Sequence, residues 1–170
     1  LMLFTSDHGD MMGDHHHWRK TYAYDGSARI PLLLSCPRDW GLGEAQVQEA
    51  PVELRDIMPT FLDAAGADIP DSVDGRSLLG LVRGTEGEGE EWRSFVQGEH
   101  TTCYDREHGM QYLTDGREKY IWFHHTGEEQ FFDLSTDPGE CTDLSKDPSV
   151  ASRLQSWRRR LAEIDENRGD

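Results

Sequence analysis

Cysteine is scarce in this sequence, and its spacing fits neither a metal site nor a disulfide framework. Cys36, Cys103 and Cys141 are an odd number without a C-x-x-C pair, which argues against a zinc ribbon and against a dense set of disulfides. One disulfide between Cys103 and Cys141 could form, although buried free thiols are the simpler interpretation. At 170 residues the chain is long enough to bury a core without cross-links.

The sequence also has few positively charged residues and no long apolar runs. The chain has 17 Lys and Arg against 33 Asp and Glu, a net charge of -16. Such a surface repels nucleic acid phosphates and anionic membranes, and no stretch reaches the roughly 18 apolar residues of a membrane span. We therefore expect neither nucleic acid nor membrane as a partner. An anionic substrate stays open, because a bound metal is often the largest charge in its site.

Two apolar segments at the start of the chain flank a polar loop rich in Gly and His. Residues 1–5 and 30–35 predict strands, and the continuous apolar character of the first is typical of a central parallel strand. Because the chain starts without a polar lead-in or an initiating Met, we expect it to continue upstream. Ligands bind at the carboxyl ends of strands in open α/β sheets, so the cluster Ser6-Asp7-His8-Gly9 that follows is a candidate site.

Apolar residues at helical spacing then predict two helices. The first covers residues 52–65, with Asp56 as a candidate N-cap and Gly66 as its stop. The second is a short helix over residues 77–83. An acidic, Gly-rich stretch at residues 85–92 follows and predicts a linker between two parts of the chain.

The second half changes to a period of two, which is typical of half-buried strands. Four short strands are predicted, at residues 94–97, 111–114, 119–123 and 130–134. Asp115-Gly116 is a hairpin signal between the second and the third. Asp147 and Pro148 then begin an amphipathic helix that reaches Ile164, and we expect this helix to cover the small antiparallel sheet.

Asp7 and His8 are the first candidate ligands for a metal ion. Both side chains can turn toward one ion only where the backbone bends, which Gly9 permits. A carboxylate with an imidazole suits Mn²⁺, Zn²⁺ or Fe²⁺, whereas Ca²⁺ prefers oxygen ligands and accepts an occasional nitrogen. On spacing alone, an ordinary capped and solvated loop is the simpler explanation of the pair.

Other polar residues have roles that spacing alone does not decide. The consecutive side chains His15-His16-His17 diverge, so at most one or two could bind one ion, and a polar loop is the simpler explanation. Lys20 follows His8 by twelve residues, and a lone lysine is ordinarily a solvated surface residue. His100 could line a substrate entrance or make a structural hydrogen bond.

Six motifs follow one another in an order that a known family shares. They are F-T-S-D-H-G-D-M-M-G-D-H-H-H-W-R-K, Y-D-G-S-A-R-I-P-L-L-L, D-I-M-P-T-F-L-D-A-A-G, D-G-R-S-L-L, E-K-Y-I-W-F and F-F-D-L-S-T-D-P-G-E. Together they closely resemble the second half of the sulfatase family. The resemblance spans nearly all of the chain and is collinear, so it is far more specific than any single motif.

The resemblance implies roles for the candidate residues. In the family, the Asp and the following Asn or His of this loop bind a divalent ion, and a Lys downstream contacts the sulfate group. By that resemblance Asp7 and His8 are metal ligands, with Ca²⁺ favoured and Mn²⁺ as the alternative, and Lys20 is the catalytic contact to sulfate. His15 and His100 are candidate substrate-binding residues.

The family's nucleophile is absent from this sequence. It is a Cys or Ser in a C/S-x-P-x-R motif, oxidised to formylglycine, and lies near the amino terminus with further acidic metal ligands. Cys36-Pro37-Arg38 has the wrong spacing, because its Pro follows the Cys directly. The resemblance thus implies an upstream amino-terminal half that completes the site, and it favours a periplasmic or secreted enzyme over a cytoplasmic one.

The implied fold is α/β and alkaline-phosphatase-like. We expect the end of its large mixed sheet in residues 1–84, the linker in 85–92, and a small four-stranded antiparallel sheet with a carboxy-terminal helix in residues 93–170. The implied function of the complete enzyme is hydrolysis of a sulfuric ester, with a sulfated small molecule or glycan as substrate. We expect the chain to be inactive alone.

Two other functions fit the same residues. A phosphonate or phosphate ester hydrolase of the same superfamily could use the metal pair and Lys20 on a different anion. A non-catalytic sulfatase remnant could dock sulfated glycans, but the net charge of -16 argues against broad glycan binding. The only Lys/Arg stripe, Arg158-Arg159-Arg160, more simply forms the solvated face of the last helix.

Overall fold

The computed structural model has the mixed α/β composition that the sequence predicts. It describes residues 1–41, 45–84, 91–101 and 105–167. Within those residues there are six strands and four α-helices, joined by loops and short 3-10 turns. No helix in the described part of the chain has the length and apolar character needed to cross a membrane.

The contacts divide the chain into two compact units, and each is built from two segments. The first unit comprises Leu1–Asp7 and Ile30–Ser94, and the second comprises His8–Arg29 and Phe95–Asp170. The polar loop at residues 8–29 therefore groups with the carboxy-terminal sheet, whereas the sequence placed it in the first part. The predicted linker falls mostly outside the described residues and stays a prediction.

The first unit contains a two-stranded sheet. Strands β1 (Met2–Thr5) and β2 (Leu32–Ser35) pair antiparallel, with Leu3 opposite Leu34. The parallel pairing that the apolar run of β1 indicated is therefore not seen between these strands. Met2 and Phe4 of β1 are 70% and 62% exposed, so the apolar run predicted neither the burial of this strand nor the direction of its neighbour.

Three of the four described helices lie near predicted positions, the first one along the chain was not predicted, and glycines follow two of them. Their bounds are Asp25–Ala28 for α1, Ile57–Ala64 for α2, Leu78–Arg83 for α3 and Ala151–Asn167 for α4. Gly66 and Gly84, both at positive φ, follow α2 and α3 as expected. Asp56 precedes α2 but does not cap it. Its buried carboxylate accepts instead from the Glu53 amide and from Arg93.

The second unit contains the predicted four-stranded sheet. Its antiparallel strands follow the chain order and span Val96–His100 (β3), Met110–Thr114 (β4), Glu118–Phe123 (β5) and Glu128–Asp133 (β6). The hairpin predicted at Asp115-Gly116 joins β4 to β5, and Gly116 has a φ of 84°. The first strand begins and ends later than predicted, because a two-residue period locates strand ends poorly.

Both faces of this sheet are covered within the second unit. Helix α4 covers one face, as expected, through a buried cluster of Leu113, Tyr120, Phe131, Val150, Leu154, Trp157 and Leu161. The other face packs against Ala23 through Met110, Ile121 and Phe132. Each such fully buried apolar side chain contributes roughly 1.5–3 kcal/mol. The polar loop is thus fastened to a sheet whose opposite face is closed by a helix.

The cysteines lie only partly as expected. Cys36 and Cys141 are free thiols, and Cys141 is exposed rather than buried. Cys103 lies outside the described residues, so a disulfide to Cys141 stays an open interpretation.

Candidate active site

Residues 8–29, which we call the site loop, carry His8, His15 and Lys20. The loop is folded rather than extended. Met11 and Ala23 are each only 1% exposed, and the short helix α1 closes its carboxyl end. The sequence predicted a loop here but not this helix.

The contact between His8 and Lys20 is the central geometric feature of the loop. Lys20 Nζ lies 3.0 Å from His8 Nε2. The other ring nitrogen, Nδ1, lies 2.8 Å from the carbonyl oxygen of Gly9. Because a carbonyl only accepts, Nδ1 carries the proton, and the lone pair of a neutral His8 ring is on Nε2. The structure therefore brings two of the predicted site residues together.

Ser27 holds both ends of this contact. Its carbonyl accepts from the Gly9 amide at 2.9 Å, and its buried hydroxyl accepts from the Thr21 amide at 3.1 Å. The residue after His8 and the residue after Lys20 are therefore bonded to one serine. Sequence reasoning missed Ser27, because a serine in a short motif carries no signal of which distant amides it will satisfy.

Two backbone features show that the loop conformation is specific. A Cβ on Gly9 would lie 2.2 Å from the carbonyl oxygen of Gly26, so the close approach of the two segments requires glycine there. Thr21 has a φ of 92°, which is unusual for a β-branched residue and costs about 1–3 kcal/mol. Such strain persists only where surrounding contacts hold the backbone in place. The hydrogen bond from the Thr21 amide to Ser27 is one of these contacts.

Two of the three consecutive histidines, His15 and His17, contact different partners. His15 Nε2 lies 3.1 Å from the carbonyl oxygen of Gly139, and its ring stacks on Tyr24 at 4.0 Å. His17 stacks on Tyr22 at 3.9 Å. Burial, followed by the charges of neighbouring histidines, lowers the pKa of His17. The contacts of His15 anchor the loop, and its predicted role in substrate binding stays a prediction.

Asp7 lies two residues after β1, and His100 is the last residue of β3. Asp7 is the last residue of the first segment of unit one, and its carboxylate accepts from the Ser6 hydroxyl at 3.5 Å. His100 ends β3 opposite Met110. Neither observation tests the predicted role, so both residues stay predictions.

A cavity of about 240 Å³ lies beside the site loop in the second unit. The loop contributes aromatic rings to it, and the sheet contributes an apolar floor with polar residues at the side. The lining includes His17, Tyr22, Tyr24, Ile121, Phe123 and Gln130. No pattern in the sequence indicated this cavity, since its walls come from segments about a hundred residues apart.

Comparison with known proteins identifies the family. Residues 13–167 match the family described as "N-sulphoglucosamine sulphohydrolase, C-terminal". An arylsulfatase of Clostridium perfringens (strain 13 / Type A) is 43% identical over 162 residues, or 95% of this chain. The chain belongs to the sulfatase family. The match to the sulfatase carboxy-terminal family includes Lys20, while Asp7 and His8 precede the matched residues.

The sulfatase relatives are longer than this chain. It covers 32% of the Clostridium arylsulfatase. The multifunctional alkaline phosphatase superfamily protein PehA of Trinickia caryophylli is 34% identical over 172 residues, which are 92% of this chain and 32% of that protein. A choline-sulfatase of Rhizobium meliloti (strain 1021) is 32% identical over 87% of this chain and 27% of its own length. The chain thus spans about a third of these relatives.

Solved structures share the fold. A phosphonate monoester hydrolase from Silicibacter pomeroyi superposes with a TM-score of 0.80 and 30% identity, over 97% of this chain and 34% of that one. A sulfatase-like protein of Bacteroides thetaiotaomicron VPI-5482 superposes with a TM-score of 0.79 and 26% identity, over 99% of this chain and 36% of that one. The predicted alkaline-phosphatase-like sulfatase fold is confirmed.

A divalent metal is expected for a sulfatase, and the donors of this chain fit one in part. His8 has its Nδ1 on a backbone carbonyl, which is the arrangement that fixes Nε2 of a metal-binding histidine. The Asp7 carboxylate precedes it directly. The described residues hold no group of three or more His, Cys, Asp or Glu that could bind a metal, so they offer part of a ligand set and not a closed site.

Proposed function

We propose that this chain supplies the carboxy-terminal part of the active site of a sulfatase that hydrolyses sulfuric esters. The observation that carries the proposal is the 3.0 Å separation of Lys20 Nζ and His8 Nε2. In a chain of the sulfatase family, this contact places a cation next to the imidazole lone pair. The ammonium can bind the oxygens of an anionic ester, and the imidazole nitrogen can bind a divalent ion.

Lys20 is the group that binds the transferred anion. An ammonium has three N–H donors. When Nε2 of His8 binds the ion, its lone pair no longer accepts from Lys20, and all three donors are available to the oxygens of a sulfate group. The side chain is exposed, so an ester can approach it from solvent. A fixed cation at this position stabilises negative charge that concentrates during the transfer.

Asp7 and His8 would hold the divalent ion, for which we propose Ca²⁺, with Mn²⁺ as the alternative. When bound, such an ion polarises the sulfate oxygens and lowers the pKa of the attacking hydroxyl. His8 contributes by its tautomer, because the Gly9 carbonyl keeps the proton on Nδ1. The formylglycine motif does not occur in this sequence. The nucleophile is therefore proposed to come from an amino-terminal part of the same enzyme, exported to the periplasm or secreted.

The substrate class we propose is a sulfated small molecule or glycan. Tyr22 lies two residues after Lys20 and lines the 240 Å³ cavity. Aromatic walls with a few polar groups suit the organic part of such an ester. His15 and His100 remain the proposed further contacts to it.

Phosphonate or phosphate ester hydrolysis is the second candidate function. The observation that favours it is the similarity to the phosphonate monoester hydrolase from Silicibacter pomeroyi, at 30% identity. A lysine and a divalent ion bind either anion, because both present several equivalent oxygens. The described residues do not distinguish an ester of sulfur from an ester of phosphorus.

The test is substrate preference in a full-length enzyme whose carboxy-terminal part is this chain. An aryl sulfate and an aryl phosphonate monoester with the same leaving group are compared by kcat/KM. We expect the sulfate to be preferred by at least about tenfold, which is about 1.4 kcal/mol of transition-state discrimination. The reverse preference would establish the second candidate. Binding of sulfated glycans without turnover of either ester would make the protein a non-catalytic remnant.

A further inference from the structure

A cluster of three charged residues, of which Lys119 and Glu140 are buried and Asp25 is half-buried, connects the site loop to the carboxy-terminal sheet. Lys119 Nζ lies 2.5 Å from Asp25 Oδ1 and 2.6 Å from Glu140 Oε1. The side chains of Lys119 and Glu140 are only 1% and 2% exposed. Lysine and glutamate are almost never buried to this degree unless paired, so the cluster is a specific feature of the fold.

Each member of the cluster comes from a different element. Lys119 is on strand β5, Glu140 follows the turn after β6, and Asp25 is the first residue of α1 in the site loop. The second carboxylate oxygen of Glu140 also accepts from the backbone amide of Asp25 at 2.6 Å. Glu140 itself has a φ of 54°, a conformation that costs free energy in a residue other than glycine.

The position of α1 determines the geometry of the site. Ser27, two residues after Asp25, accepts from the amides of Gly9 and Thr21. These amides adjoin His8 and Lys20. A continuous set of bonds therefore runs from the cluster through α1 to both residues of the site.

Stability alone does not explain such a cluster. Burying charges costs several kcal/mol per ion, and well-packed apolar residues often stabilise a fold as well or better. Asp25 is 22% exposed and also pairs with Arg29 at 3.4 Å, so the fully buried charges are the balanced pair Lys119 and Glu140. Charged hydrogen-bonded contacts are directional, whereas apolar contacts are not. The cluster therefore provides a link that fixes one placement of α1 on the sheet.

We propose that Asp25, Lys119 and Glu140 are positioning residues, which set the contact between His8 and Lys20 by fixing α1 on the carboxy-terminal sheet. The expected effect of these residues on catalysis rests on the proposed function. Their effect on the conformation of the site loop does not, and it can be measured in the 170-residue chain without any turnover.

The experiment replaces Asp25 and observes the site loop by NMR. Asp25→Ala removes the carboxylate contact of the loop to Lys119. The Lys119–Glu140 pair and the bond from the residue 25 amide to Glu140 remain, so the sheet keeps a balanced buried pair. We expect amide exchange at Gly9 and Thr21 to become at least about tenfold faster. We also expect the ring nitrogens of His8 to lose the signature of a proton held on Nδ1.

The matched control is Glu129→Ala. Glu129 also pairs with a cation, Arg158, but on the face of the sheet that α4 covers. We expect the exchange rates of Gly9 and Thr21 and the His8 ring signals to stay as in the parent.

Unchanged loop signals in Asp25→Ala, or the same change in Glu129→Ala, would overturn the proposal. Because this experiment measures no activity, its result does not depend on whether the proposed function is correct. The kinetics of Lys20 variants test that function separately.

Discussion

The amide of Gly9 donates to the carbonyl of Ser27 at 2.9 Å, and this bond brings the residue after His8 against helix α1. The two segments approach so closely that no side chain fits between them. A Cβ on Gly9 would come within 2.2 Å of a backbone oxygen of Gly26, and a backbone atom cannot turn aside as the end of a side chain can.

Gly9→Ala is therefore expected to destabilise the chain. Overpacking of this kind costs roughly 1–3 kcal/mol, and urea unfolding followed by circular dichroism measures it. Gly80→Ala is the control, because Gly80 lies within α3 and nothing lies within 4 Å of an added Cβ. Alanine there is expected to stabilise by about 0.5–1 kcal/mol. A neutral Gly9→Ala would show that the loop has room that the structure does not indicate.

Lys20→Ala in a full-length enzyme is expected to lower kcat by ~10²–10³, the usual contribution of a preorganised charge in a catalytic site. Lys20→Arg should restore little, because a planar guanidinium does not place its donors where an ammonium does. Arg19→Ala is the neighbouring control and should stay within a few-fold of the parent. Steady-state kinetics decide the matter. A loss confined to KM would mean that Lys20 binds substrate and transition state equally.

The 170-residue chain alone is expected not to hydrolyse an aryl sulfate. The formylglycine motif does not occur in it, and the His8–Lys20 pair offers no replacement nucleophile. The assay compares highly purified chain with a buffer blank, and Lys20→Ala serves as the control for contaminating enzyme. Turnover above the blank that Lys20→Ala abolishes would contradict this expectation.

Divalent ions are expected to bind the isolated chain only weakly. Ca²⁺ takes six to eight ligands, and the proposed pair Asp7 and His8 supplies two, so water would fill the rest. Titration calorimetry with Ca²⁺ and with Mn²⁺ measures the affinity, and Asp7→Asn is expected to weaken it further. A nanomolar affinity that disappears in Asp7→Asn would show that the chain holds a closed site.

The pairing of Glu129 with Arg158 is expected to make stability depend on pH. Hydrogen bonds from Arg158, and then from Tyr120, lower the pKa of Glu129 below its ordinary value of 4.5. The folded state thus favours the ionised carboxylate. Its contribution is complete above that ordinary value and is lost as the pH falls through the lowered one.

Arg158→Ala should therefore cost more at neutral pH than in acid. We expect a loss of about 1 kcal/mol near pH 7, kept small by the partial exposure of the pair, and a smaller loss at an acid pH below the lowered pKa of Glu129, where the carboxyl is protonated in both states. Urea unfolding at the two pH values measures the difference. Arg159→Ala is the control, since Arg159 contacts only the Ser156 hydroxyl among the described contacts. A loss of equal size at both pH values would rule out the ion pair as its source.

The sequence predicted the elements whose cause is local. The two-residue period located the four strands, Asp115-Gly116 located a hairpin, and the apolar stripe after Asp147 located α4. Each depends on residues within a few positions of one another, so the pattern and the structure share one physical cause. His8 and Lys20 became candidate site residues only through resemblance to a family, since spacing alone left both as ordinary loop positions, and their contact with each other was not predicted.

Only the tertiary structure decided how the site is held. Lys119 and Asp25 are 94 residues apart in the chain, and Asp25 and Glu140 are 115 apart. An alternating pattern shows that a strand has a covered face, but it does not name the segment that covers it. The pattern therefore gave no sign that Lys119 of β5 is buried against Glu140, and the site loop was predicted as part of the first half. A buried ion pair depends on which distant charges the fold brings together, and that is a property of the packed chain.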